Sequence, residues 1–243
     1  MEVLGVDIGG SGVKAAPVDV SNGSLTRERI KVPTPQPARP KAVAEAVRGL
    51  VAEFGWSGKA GITFPGVVTG GVIRTAANLD PSWIGVDARD LFSTVTGLEV
   101  QVINDADAAG QAEMRFGAGA GHQGTVVMLT FGTGIGSALF TRGVLVPNTE
   151  FGHIEIRGKD AEKRASERVR EADDLDWEHW AGRVDEYMSH LEALLWPDLF
   201  IVGGGVSRKS DKFLPLLEKL SATVVPATMH NDAGIVGAAL AGA

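Results

Sequence analysis

The sequence contains no cysteine, which excludes disulfides and thiolate-ligated metal centres. It has no apolar run long enough to cross a bilayer as a helix. No basic, apolar leader precedes the strand-like stretch that begins at Glu2, so a cytoplasmic location is the expectation. There is no basic excess either. With 23 Lys and Arg against 30 Asp and Glu, the formal net charge is −7, which argues against general nucleic-acid binding, where phosphate contacts demand positive charge. A local basic patch remains compatible with a polyanion. Glycine, by contrast, is abundant at 32 of 243 residues, and much of it gathers in turns that follow apolar strands. The length predicts two lobes or one large α/β domain, either able to bury a sizeable core.

Residues 4–14 form the organising stretch: a short apolar strand, Asp7 near its end, then Gly9, Gly10, Ser11 and Gly12 before a second strand carrying Lys14. Glycines there predict positive φ angles and a close approach of backbone N–H groups to an anion, with a hydroxyl from Ser11 and a charge from Lys14. This is a phosphate cradle with a metal-holding carboxylate at its lip, or an ordinary glycine hairpin. It is not a Walker loop, and it joins strand to strand where a dinucleotide fingerprint joins strand to helix. The theme recurs. Residues 125–130 run into Phe131-Gly132-Thr133-Gly134-Ile135-Gly136 and out through a further strand. Two such turns fit a duplicated fold in which each lobe lends a loop to one phosphate group. A third glycine turn, Gly203-Gly204-Gly205, follows a buried strand at 199–202 and is followed directly by Arg208, Lys209 and Lys212.

Between these turns the patterning predicts a meander with a third strand at 25–32, a proline-held connector, and an amphipathic helix marked by Val43, Val47, Leu50 and Phe54. A strand at 61–68 breaks at Pro65-Gly66. Asn78, Asp80 and Trp83 then share one loop. Such a set grips a polyol, amide and carboxylate on the hydroxyls and ring on the apolar face, or it is an Asx turn beside a packing tryptophan. Asp87 caps a helix at 88–96 closed by Gly97. The strand at 100–103 delivers Asn104 and Asp105 to its carboxyl end, where side chains of an open α/β sheet face the ligand crevice. Asp105 is therefore a candidate base, or simply the cap of the helix at 106–116. Glu150 and His153 form a polar pair able to take sugar hydroxyls. A charged helix is expected at 159–171 as a solvated face, and Trp177, Trp180, Val184, Tyr187, Leu191 and Leu194 as the core stripe of another. Asp232 or Asn231 caps a small-residue closing helix that packs back on the first lobe.

Together, the 7–11 turn with Lys14, the Asn78-Leu79 loop with Trp83, Asn104-Asp105, the 131–136 turn, Glu150-Phe151-Gly152-His153 and the 203–207 turn resemble the ROK family of sugar kinases, within the actin-like ATPase superfamily. The resemblance spans nearly the whole chain and is strongest to the zinc-less polyphosphate glucokinase branch. It implies an α/β fold of two ribonuclease-H-like lobes with a cleft between them: a small N-terminal lobe, 1–108 with 231–243 packing back on it, and a larger one, 109–230. It implies transfer of a phosphoryl group from polyphosphate, ATP or both to the 6-hydroxyl of glucose, with Mg2+ and in a cytoplasmic homodimer. The alternative is an ATP-dependent hexose kinase acting on mannose or an N-acetylhexosamine. By the same likeness Asp105 is the base, and Gly66, Asn78, Asn104, Asp105, Glu150, His153 and Glu167 reach the sugar. Gly9, Gly10, Ser11, Gly12, Lys14, Thr133, Gly134, Gly204 and Gly205 hold phosphate, and Asp7 holds magnesium through water. Many ROK members carry a cysteine-rich zinc motif after the glutamate-glycine-histidine element; here 154–166 replaces it without a cysteine, so no zinc is expected. A DNA-binding relative would need a helix-turn-helix ahead of the first turn, and none is expected before Glu2.

Overall fold

A strand that is apolar on both faces belongs in the middle of a covered sheet, and β1 (Glu2–Ile8) meets that condition, with Val3, Leu4, Val6 and Ile8 fully buried. The computed structural model describes residues 1–77 and 79–243; the expectation for Asn78 lies outside the described residues. Two units make up the chain, Met1–Ala112 with Asp232–Ala243, and Glu113–Asn231.

In the first unit, β1 pairs antiparallel with β2 (Gly12–Asp19), placing Asp7 opposite Lys14. Two short strands, β3 (Ser24–Leu25) and β4 (Ile30–Pro33), both add to β2. The single strand expected at 25–32 is thus interrupted: the chain leaves the sheet where Arg27 donates to the Phe54 carbonyl at 2.8 Å and Arg29 pairs with Asp232 at 2.8 Å. Helix α1 (Pro40–Glu53) buries Val43, Val47 and Leu50. Then come β5 (Ala60–Phe64), parallel to β1, and a separate ribbon of β6 (Val68–Thr69) with β7 (Val72–Ile73). Helix α2 (Ala88–Thr96) is capped as read, the Asp87 carboxylate accepting from the Asp90 N–H at 2.9 Å and Gly97 closing it at φ 72°. Strand β8 (Val100–Asn104) lies parallel to β5 and leads into α3 (Asp105–Phe116). Trp83 is fully buried against Phe64 and Phe92, its indole N–H donating to the Ala38 carbonyl at 2.8 Å. It is core, which corrects the reading in which its ring covers a sugar.

In the second unit, β9 (Thr125–Phe131), β10 (Ile135–Thr141) and β11 (Val144–Val146) form an antiparallel run. A ribbon of β12 (Glu155–Ile156) and β13 (Lys159–Asp160) follows, then α4 (Glu162–Ala165) and α5 (Glu167–Ala172). One charged helix was expected over this span. Ser166 breaks it by adopting an extended backbone and accepting from the Val169 N–H to cap α5. Helix α6 (Trp177–Leu195) buries Trp180, Val184, Tyr187 and Leu191. Its stripe frays at both ends, since Trp177 is half-buried and Leu194 is 72% exposed. Strands β14 (Leu199–Gly203) and β15 (Thr223–Pro226) then lie parallel to β9. The sheet order β11-β10-β9-β14-β15 repeats β3-β2-β1-β5-β8 in both sequence and direction. The duplication suggested by the glycine turns is thus a duplication of a five-strand path, to which the first unit adds β4.

The chain ends in α7 (Ala233–Ala241), part of the first unit. A Cβ on Gly5 or Gly61 would run into the carbonyls of Ile235 and Ala238, so the helix lies with its backbone on the backbones of β1 and β5. The expected Asp232 cap is absent, because that carboxylate is taken by Arg29.

Candidate active site

The first turn closes when the Gly9 N–H donates to the Gly12 carbonyl at 3.0 Å. Gly9, Gly10 and Gly12 all lie outside the left-handed region, which corrects the reason given for them above. Space is what Gly12 supplies, since a Cβ there would meet the Lys31 side chain. Gly10 and Ser11 are exposed at the tip. Just inside it, Asp7 is held at both oxygens: Oδ1 accepts from the Thr63 hydroxyl at 3.0 Å, and Oδ2 pairs with the Lys14 ammonium at 3.2 Å. Thr63 in turn accepts from the Ile8 N–H at 3.1 Å. Gly234 leaves room for the carboxylate, because a Cβ there would stand 2.9 Å from the Asp7 Cγ. Lys14 is therefore a partner of Asp7 before it is anything else.

At the end of β8, the buried Asn104 uses both ends of its amide. Oδ1 accepts from the N–H groups of Ala106 and Asp107 at 2.9 and 3.0 Å, and Nδ2 donates to the Gly66 carbonyl at 3.1 Å. Asn104 thus caps α3 and ties it to the Pro65-Gly66 turn, which itself packs so closely on Thr75 that a Cβ on Gly66 would strike the Thr75 carbonyl. Asp105 accepts from the Ala106 N–H at 2.9 Å and stays half-buried. Capping falls chiefly to Asn104, leaving Asp105 at the carboxyl end of a parallel strand.

In the second unit the corresponding turn is closed by the Gly132 N–H donating to the Gly134 carbonyl at 3.0 Å, with Thr133 exposed at its tip. Glu162 buttresses this turn from behind. Its carboxylate accepts from the Ile135 N–H at 3.3 Å and fills the space a Cβ on Gly134 would need. The sequence reading missed Glu162 because it sits among charges taken for a solvated face. Two more elements meet the same turn. The Arg168 N–H donates to the Gly132 carbonyl at 3.1 Å, and Gly204, at φ 84°, packs on the Phe131 backbone where any Cβ would collide. Gly205 lies beside Glu167, whose Oε2 would stand 3.2 Å from an added Cβ. The hairpin, the Gly203-Gly204-Gly205 turn and the start of α5 are therefore one assembly.

Gly152 packs on the Ile135 carbonyl, which brings the Glu150–His153 segment against the start of β10. His153 is half-exposed and ringed by carboxylates: Glu150 at 3.6 Å from Nε2, Asp160 at 3.7 Å and Glu162 at 4.0 Å from Nδ1. Ligand atoms of His153, Asp160 and Glu162 lie within 4.8 Å of one another, a hard oxygen and nitrogen set without a thiolate. Partial burial pushes the Glu150 carboxyl above its ordinary range, opposed by His153 and reinforced by Glu162. Glu167 is also raised, by burial first and by Glu171 second, against the pull of Lys209 and Arg170.

Each unit thus presents a glycine hairpin joined to chemistry-bearing side chains: Asp7, Lys14 and Asp105 in the first, Glu150, His153, Glu162 and Glu167 in the second. Such parts suit transfer of an anionic group to a hydroxyl. A family model described as "ROK family" matches residues 3–167. The chain is 56% identical over 98% of its length to a protein named polyphosphate glucokinase from Mycobacterium tuberculosis, covering 90% of that protein. To its counterpart from Mycobacterium leprae it is 52% identical over 98% of the chain and 74% of that protein. Among solved structures it matches an inorganic polyphosphate/ATP-glucomannokinase from Arthrobacter sp. strain KM, with a TM-score of 0.94, 51% identity, and coverage of 98% of this chain and 97% of that one. A ROK family glucokinase from Streptomyces griseus in complex with glucose and AMPPNP matches at a TM-score of 0.84 and 28% identity, covering 99% of each chain.

Proposed function

The chain belongs to the ROK family, and from that premise we propose that it is a glucokinase transferring the terminal phosphoryl group of inorganic polyphosphate, or of ATP, to the 6-hydroxyl of glucose. The observation that carries this is the repeated hairpin: the same turn follows the central strand of each of two sheets of identical order, in a chain 56% identical to a polyphosphate glucokinase. Asp105 accepts the proton of the attacking hydroxyl. Backbone amides of residues 9–12 and 132–136, with Ser11 and Thr133 at the exposed tips, receive donor phosphates, and Gly204 and Gly205 widen that surface by carrying no side chain. Lys14 serves the donor through Asp7, whose carboxylate it orients.

Sugar hydroxyls are taken by Glu150, His153 and Glu167, with Asn78 and the Gly66 backbone as further partners. Asn104 contributes mainly by fixing the Pro65-Gly66 turn and the start of α3. Asp7 suits Mg2+, which uses one or two carboxylates beside water and substrate phosphates, and its fixed, partly exposed oxygens fit that role. When bound, the ion neutralises the phosphate charge that develops during transfer. No zinc is proposed, since the family's thiolate donors are missing and His153 is bracketed by acids instead. We place the enzyme in the cytoplasm as a homodimer.

The test is a comparison of initial rates with ATP and long-chain polyphosphate, across glucose, mannose, fructose and N-acetylglucosamine. Polyphosphate with glucose is the expected productive pair, and turnover with ATP alone would overturn the assignment of polyphosphate as donor. Mannose is the expected second acceptor, because the Arthrobacter neighbour is named a glucomannokinase. Asp105→Asn is expected to leave glucose affinity nearly intact and lower kcat by roughly 10²- to 10⁴-fold, the usual worth of a general base. A wild-type kcat would remove Asp105 from the reaction.

A further inference from the structure

Trp177 opens α6 and is half-buried, stacked on Phe213 with ring centroids 6.1 Å apart. Three cations converge on its indole: Arg170 at 4.4 Å from the ring centroid, Lys212 at 5.7 Å and Lys209 at 5.8 Å. The two lysines lie on one short helical segment, Gly205–Lys212, which is kinked at Lys209 (φ −118°, ψ 25°), and both reach the same ring. Among the described residues neither lysine has a carboxylate within ion-pair distance. Arg170 has one, Glu171 at 3.5 Å, and its Nε is buried without a hydrogen-bond partner. Glu167 adds a more distant attraction for Lys209 and Arg170.

Cation–π attraction and the Glu171 and Glu167 carboxylates offset part of the repulsion among three positive groups, yet the two lysines stand without an ion pair in a protein of net charge −7. Its place in the unit is informative. Lys209 follows Gly205 by four residues on the turn that packs against Phe131, and Arg170 lies two residues beyond Arg168, whose N–H is bonded to the Gly132 carbonyl. The cluster is thus built on the same two segments that touch the 132–134 hairpin.

Resting on the polyphosphate glucokinase reading, we propose that Arg170, Lys209 and Lys212, gathered on Trp177, form the outer track of the donor site and hold phosphates of a polyphosphate chain beyond the one being transferred. A repeating anion matches a row of cations, two of them without an ion pair. A triphosphate offers such a row fewer phosphates than a long chain does.

The experiment pairs Lys209→Ala with Lys212→Ala, both exposed positions, and measures KM for tripolyphosphate, for long-chain polyphosphate, for ATP and for glucose. Loss of two such contacts is expected to raise the long-chain KM about tenfold, with the KM for ATP, tripolyphosphate and glucose within twofold of wild type. Lys209→Glu with Lys212→Glu is expected to deepen the long-chain effect and nothing else. An unchanged long-chain KM in an enzyme that still turns over polyphosphate overturns the track and leaves the glucokinase reading standing. An equal rise for ATP also overturns it, assigning the cluster to a part of the site shared by both donors. Absence of polyphosphate turnover in the wild-type enzyme overturns the functional reading and the track together.

Discussion

Glu150 shows how one residue can pull stability and function in opposite directions. Its carboxyl is raised by partial burial, so the fold favours the neutral acid. The stability that a protonated Glu150 supplies is present at low pH and is lost as pH climbs from the unfolded-state pKa through the raised folded-state value. A sugar hydroxyl, in contrast, donates best to the charged form. Glucose affinity should therefore weaken on acidification at a pH above the ordinary glutamate range. Glu150→Gln is expected to raise the glucose KM, flatten that acid limb and raise the melting temperature near neutral pH. A variant with an unaltered glucose KM would remove Glu150 from the sugar. Asp7 gives a second contrast, because Thr63 and Lys14 hold it whether or not an ion is present. Asp7→Asn is expected to raise the Mg2+ concentration for half-maximal rate by an order of magnitude while barely changing the glucose KM. Chelator treatment of the wild type should abolish turnover, with Mg2+ alone restoring it and no zinc required.

Among the elements, the glycine turns were visible in the sequence, but the reason for their glycines was not. Positive φ was expected at the first turn; among the three turns the structure puts it only at Gly204 in the third. At Gly12 and Gly134 it is a neighbour's side chain that occupies the space, Lys31 and Glu162 respectively, while Gly132 faces open space. Sequence patterning reports local conformation well, as the α2 boundaries and its Asp87 and Gly97 caps attest. It cannot report which distant side chain fills a gap. That is why Glu162 escaped notice, why Trp83 was left open between sugar and core, and why the span 159–171 was read as one helix when Ser166 divides it. Gly204→Ala combines a left-handed φ with a Cβ driven into the Phe131 backbone. The strain of such a site costs about 1–3 kcal/mol before the collision is counted, so a lower melting temperature is expected together with a sharp drop in kcat for both donors. Gly143→Ala, also at positive φ but in open space at the β10–β11 turn, serves as the control: it should share the conformational cost and leave kcat intact.

For the molecule as a whole, the difficulty is one of charge, since an acidic protein with a net charge of −7 must admit a polyanion. Beyond about one Debye length, roughly 8 Å at physiological ionic strength, the mean repulsion is largely screened. What remains is the local field of the cations at Trp177. Added salt should then act mainly on that short-range attraction. The KM for long-chain polyphosphate is expected to rise with ionic strength, the KM for glucose to stay flat, and the KM for ATP to fall between them. Lengthening the donor should steepen the dependence until the chain spans the basic track, after which further phosphates add nothing. A polyphosphate KM that fell as salt increased would mean that net repulsion governs entry, and the local cations would then have no part in capturing the donor.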